Sequence, residues 1–204
     1  IAGGGNELPK NSMGYADRFF INDGKGNFVY DSAALPILAS SKSCVKGADF
    51  DGDGDIDLFV GGRAVPGEYP KAEMSYLLRN NTKNGIIRFE VVTDKVAPAL
   101  KKMGMITDAA WSDADNDGDA DLLVTGQWMG IHFFRNDKGI LVQQSTATDA
   151  LTGWWNSITA ADIDNDGDMD YVAGNFGNNG YYHATEKHPL HVYGSDYDLS
   201  LIHI

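Results

Sequence analysis

Three stretches of the chain repeat one order of polar and apolar positions. In each, Asp residues at alternate positions run directly into an apolar segment. Asp49–Asp57 leads into Leu58-Phe59-Val60-Gly61-Gly62, Asp113–Asp121 into Leu122-Leu123-Val124-Thr125-Gly126, and Asp162–Asp170 into Tyr171-Val172-Ala173-Gly174-Asn175. The apolar segments are short and bounded by Gly, which predicts buried strands closed by turns. A second apolar run closed by Asn follows twice, as Tyr76-Leu77-Leu78-Arg79-Asn80 and Phe133-Phe134-Arg135-Asn136-Asp137. Phe19-Phe20-Ile21-Asn22-Asp23-Gly24 repeats that element near the start, and the Gly-rich turn at 22–27 into Phe28-Val29-Tyr30 is a hairpin signature.

The Asp-rich copies begin 64 and then 49 residues apart. A unit of roughly 50 residues carrying about four short strands predicts the blade of a β-propeller, where radial repetition protects the sheet edges. The expected fold is therefore all-β, a partial propeller of three to four blades, each a four-stranded antiparallel sheet. A sandwich with similar loops is the structural alternative. The segment Arg63–Lys71, with Pro66 and Pro70, reads as a loop inserted into one blade.

Composition narrows the function. The 204 residues are 43% hydrophobic, enough for one sizeable core, and 24 Gly with 11% aromatics suit strands and tight turns. A formal charge of −13 repels phosphate backbones and anionic headgroups, so nucleic acid and direct membrane insertion are not expected. Cys44 is the single cysteine, which excludes a disulfide framework or thiolate cluster and reads as a small buried apolar group.

Five carboxylates within nine residues repel one another unless a cation sits among them. Ca²⁺ accepts six to eight hard oxygens in flexible geometry, which suits alternating Asp side chains better than the strict octahedron of Mg²⁺ does. Gly54, Gly118 and Gly167 at the sixth position allow the positive φ of a loop coiled round an ion. The first, third, fifth and ninth positions are expected to supply carboxylates. These are Asp49, Asp51, Asp53 and Asp57, then Asp113, Asp115, Asp117 and Asp121, then Asp162, Asp164, Asp166 and Asp170. The seventh, Asp55, Asp119 and Asp168, is expected to offer its backbone carbonyl and turn its side chain to solvent. An EF-hand needs a Glu at position twelve, where Val60, Val124 and Ala173 stand. A phosphatase-type Asp nucleophile would occur once, after a strand, and not three times before one. The loops hold 15 of 29 acidic residues, so three bound Ca²⁺ would lift the formal charge from −13 to −7.

The pattern Asp-x-Asp-x-Asp-Gly-x-x-Asp followed by an apolar strand and Gly resembles the FG-GAP or VCBS repeats of the integrin α-subunit head propeller and of many bacterial surface proteins. Segments such as Gly104–Trp111, Gly126–Met129 and Gly153–Ile158 look most similar to VCBS-repeat proteins of the ASPIC/UnbV type. The resemblance covers residues 3–198. It implies calcium that rigidifies each blade, a secreted or cell-surface location with a signal sequence upstream, and a partial array of a propeller of about seven blades. On that reading residues 1–198 form blade remnants at about 1–46, 47–109, 110–160 and 161–198. Asp196-Tyr197-Asp198 would open a further loop. Leu199–Ile204 breaks the pattern, matches the translation of a common sequencing-adapter end, and is expected to be a non-native tail.

Little else in the sequence carries chemistry. His132, His183, His188, His191 and His203 form no helical metal pair and read as surface or turn residues. Trp111, Trp128, Trp154 and Trp155 could stack sugars, but packing between blades accounts for them more simply. No nucleophile elbow or phosphate-cradling loop is present. The expected function is a non-enzymatic calcium-binding propeller that recognises protein or glycan. The alternative is an accessory domain of a secreted hydrolase whose catalytic residues lie outside this chain.

Overall fold

The computed structural model describes residues 1–177, 181–185 and 187–193. Asp196–Asp198 and Leu199–Ile204, with the expectations placed on them, and His203 lie outside the described residues. The architecture is all-β and antiparallel: a partial propeller with no closed ring among the described residues.

A hairpin of β1 (Phe19–Asn22) and β2 (Phe28–Asp31) comes first. A four-stranded meander follows: β3 (Lys42–Ala48), β4 (Asp57–Gly62), β5 (Tyr76–Asn80) and β6 (Phe89–Val91). The second meander is β7 (Met105–Ser112), β8 (Asp121–Met129), β9 (His132–Asp137) and β10 (Ile140–Gln144). Last come β11 (Gly153–Ala161) and β12 (Asp170–Asn175), antiparallel to each other, with β11 touching the far end of β8 at Gly153 and Trp154. Four-stranded blades are therefore seen in the two central sheets, whereas the two outer units each show two strands. Units counted by sheet begin at β3, β7 and β11, upstream of their Asp loops; the expected blade starts at 47, 110 and 161 fall inside these strands.

The central sheets pack face to face. Phe50, Phe59, Leu77, Ile106, Ala109, Leu122, Val124, Phe134 and Leu141 form one buried cluster between them, plugged at its side by Val96 of the short helix α1 (Thr93–Val96) and by Leu100. Ala110, Leu123 and Ile158 form a second, with Phe133 and Tyr171 against it. Neighbouring residues of β8 thus point into different cores, Leu122 and Val124 to one and Leu123 to the other. A strand covered on both faces must read as a continuous apolar run, which is why this segment lacks alternation. The first run ends with its strand at Gly62. Gly61 lies within β4 where a Cβ would stand 2.7 Å from Ile106, so it permits close approach of the next sheet.

The first strands β3, β7 and β11 lie side by side, and each carries a register shift, at Ser43, Thr107 and Asn156 respectively. All three stand six positions before the first Asp of their loop. The bulge turns a polar side chain toward the next unit: Ser43 Oγ donates to Ile106 O (2.7 Å) and Thr107 Oγ1 to Trp155 O (2.8 Å). Lys46 pairs with Asp108 at 2.8 Å, and Asp108 accepts the Ile158 N–H. Trp111 stacks on Phe50 of the preceding unit, and its Nε1–H donates to Lys46 O.

Candidate metal centres

Each Asp loop joins the first strand of its unit to the second. The three share one hydrogen-bond pattern, built by the carboxylates themselves. The first Asp accepts from the N–H groups at positions five and six: Asp49 from Asp53 and Gly54, Asp113 from Asp117 and Gly118, Asp162 from Asp166 and Gly167. The fifth-position Asp53, Asp117 and Asp166 accept from position seven. The ninth, Asp57, Asp121 and Asp170, accept from position two, at Phe50, Ala114 and Ile163.

The expected positive φ at position six is present, at 92°, 96° and 97° for Gly54, Gly118 and Gly167. Position four is left-handed too, at 74° for Gly52, 59° for Asn116 and 62° for Asn165. Gly and Asn are the residues that tolerate this region, so position four carries a turn signal of its own beside the Gly at position six.

In each loop three carboxylate oxygens converge to within 4.8 Å of one another: Asp49, Asp51 and Asp53; Asp113, Asp115 and Asp121; Asp162, Asp164 and Asp170. Asp57, Asp117 and Asp166, expected as ligands, lie outside these triads. Asp57 is fully buried and is engaged by two backbone N–H groups, with Oδ1 accepting from Asn80 at 2.6 Å and Oδ2 from Phe50 at 3.3 Å. Burial pushes its carboxyl up to about 6, against the pull of those two bonds and with the Asp51 and Asp53 charges adding to the rise. Burial likewise raises Asp121.

At the seventh position Asp55 and Asp168 are exposed and Asp119 is half-buried. Asp119 accepts the Lys138 N–H and Asp168 accepts from Asn116 Nδ2 at 2.6 Å, tying loop 2 to its hairpin and to loop 3.

The Asn residues closing the second apolar runs hold the loops in place, a role the sequence pattern marked without explaining. Asn136 is almost fully buried. Its N–H donates to Asp121 Oδ1, its amide donates to Phe50 O (2.7 Å) and Ala120 O (2.9 Å), and its Oδ1 accepts from Gly139. Asn80 repeats the contacts to Asp57 and Ile56 O in the preceding sheet.

The donor set fits a hard divalent cation. Three converging carboxylates concentrate negative charge on a loop of fixed shape, and Asp51 Oδ1 is buried without a hydrogen-bond partner among the described residues. An unpaired buried carboxylate oxygen is costly, and a cation would satisfy it. The triads are the groups that would hold Ca²⁺.

Other candidates resolve into packing. His132 is half-buried, its Nδ1 2.6 Å from Asp149, whereas His183, His188 and His191 are exposed. Cys44 is half-buried against the main core, and burial pushes its thiol up. Trp128, Trp154 and Phe176 form an aromatic chain with ring centroids 5.4 and 5.9 Å apart. A crevice of about 350 Å³ lies beside it, lined in part by Met103, Met105, Gln127, Trp128 and Met129, at the strand ends opposite the Asp loops.

This fold and these loops define a blade array of acidic-loop repeats. The family model of the FG-GAP-like repeat matches residues 74–173, a span similar to that repeat and including loops 2 and 3. Loop 1 precedes the matched span yet shares its hydrogen-bond pattern. No curated protein and no solved structure matches the chain.

Proposed function

We propose that this chain is a non-enzymatic, calcium-stabilised propeller array from a secreted or cell-surface protein, and that it recognises a protein or glycan partner. One observation carries the reading: three loops of one hydrogen-bond pattern each bring three carboxylate oxygens within 4.8 Å. In this role calcium supplies the counter-charge, and the chain's residues supply shape. The first, fifth and ninth Asp fold the loop through backbone N–H groups, and the closing Asn fastens it to the sheet. The aromatic chain at Trp128, Trp154 and Phe176, beside a crevice on the far side of the sheets, supports recognition there. Extracellular calcium modules work at roughly 10⁻⁴–10⁻³ M, a range an exposed loop of this kind suits.

Thermal melts in EDTA, Mg²⁺ and Ca²⁺ test the calcium assignment. With free Ca²⁺ about 100 times Kd, each occupied loop adds about 2.7 kcal/mol. The expected order of midpoints is Ca²⁺ well above Mg²⁺ and EDTA. Coincident midpoints in all three would remove calcium from the account.

A further inference from the structure

Loop 1 carries a paired arginine that its two copies lack among the described residues. Arg79, at the end of β5, places Nε 2.6 Å from Asp51 Oδ2, with its guanidinium over the Phe50 ring, 5.7 Å from the centroid. Phe50 is the second residue of the same loop and is fully buried, so the arginine rests on a fixed platform. Asp51 is largely buried as well, with Gly139 of the next unit packed against its Cβ.

Arg135 holds the same place in the next sheet, one residue before Asn136. It is exposed and pairs with no loop carboxylate among the described residues. The second residue of loop 2 is Ala114, which offers no ring for a guanidinium to stack on. Loop 3 has no paired arginine among the described residues either.

We propose that Arg79 is a built-in counter-ion of loop 1, which a divalent cation must move aside, so that loop 1 binds calcium more weakly than loops 2 and 3. This rests on the calcium reading above. A guanidinium 2.6 Å from Asp51 Oδ2 repels an incoming cation and offsets part of the charge that would bind it. The arginine is one-third exposed and has room to swing toward solvent, so the loop stays competent but graded. The same contact keeps loop 1 partly neutralised before any metal arrives.

Calorimetric Ca²⁺ titration of the full chain tests this in the wild type, Arg79→Gln, Arg79→Lys, Arg135→Gln and Asp53→Ala. The wild type is expected to show stronger sites and a weaker one, and Asp53→Ala should remove the weaker. Arg79→Gln should tighten that site about tenfold, which is about 1.4 kcal/mol. Arg135→Gln should shift nothing. Circular dichroism in EDTA confirms that each variant is folded. If Arg79→Gln is not, Arg79→Lys decides, because it loses the stacking and should tighten the site by a smaller factor. Loss of a stronger site in Asp53→Ala, or unchanged or weaker binding in the folded Arg79 variants, overturns the assignment while leaving calcium binding intact. No calcium heat from any variant overturns the calcium reading itself, and the role of Arg79 with it.

Discussion

Strands β8 and β12 follow loops of the same hydrogen-bond pattern and carry the same kind of apolar run, yet they live in different surroundings. Leu123 of β8 is 8% exposed, whereas Val172, at the same position of β12, is 55% exposed. The ninth-position carboxylate follows suit: Asp121 is buried and Asp170 is exposed. The difference arises because β8 has a sheet against each face and a strand along each edge, while β12 has β11 alone among the described strands. The loop-and-strand unit is therefore local in its conformation and borrowed in its stability, as expected of repeats that bury their faces only against neighbours.

The largest test of this contrast is side-chain truncation. Phe134→Ala, in the core between the central sheets, should cost about 3–5 kcal/mol, and Val172→Ala under about 1 kcal/mol, both read from urea unfolding. Similar losses at the two sites would break the comparison.

A second test concerns the buried pair that anchors the start of β3. Lys42 Nζ lies 3.2 Å from Asp17 and donates to Tyr15 O and Leu38 O, with both side chains almost fully buried. Lys42→Met leaves a buried carboxylate without its partner and should cost about 3 kcal/mol at about pH 7. Burial holds the Asp17 carboxyl above its ordinary value even with the lysine present. A carboxyl raised in the folded state binds its proton there more readily than in the unfolded chain, so ionisation costs stability as pH rises through the folded value. Removing the lysine raises Asp17 further. The deficit of Lys42→Met should accordingly shrink as pH falls from about 7 toward that raised value, and a deficit that grows would contradict the pairing.

Asn136→Ala should cost about 2–3 kcal/mol by leaving Phe50 O and Ala120 O without their donor, while Asn80→Ala, at a more open site, should cost about 1 kcal/mol. Chemical denaturation of the pair separates a loop fastened within one sheet from one fastened across two. The smallest effect belongs to the bulge residues. Thr107→Val should lose about 1 kcal/mol through the bond to Trp155 O, and Asn156→Val, exposed at the outer unit, should be near neutral. A substantial loss at Asn156 would mean that it is engaged by a partner.

Much of this was legible in the sequence, because alternating carboxylates, Gly at position six and the apolar runs are local signals. They placed β1, β2, β4, β5, β8, β9 and β12 and all three loops correctly, since short-range hydrogen bonds from Asp to nearby N–H groups fix the loop whatever surrounds it. The first strands β3, β7 and β11 were not read as strands. Their polar bulge residues Ser43, Thr107 and Asn156 interrupt any simple period, and the purpose of Ser43 and Thr107 appears only when the next unit's carbonyl is in place. Tertiary structure alone decided that Asp57 and Asp121 serve the sheet through Asn80 and Asn136, and that Arg79 reaches Asp51 while Arg135 reaches no loop carboxylate among the described residues. Those outcomes depend on contacts between residues 15 to 86 positions apart, and no local pattern encodes which neighbour will fill the space beside a loop.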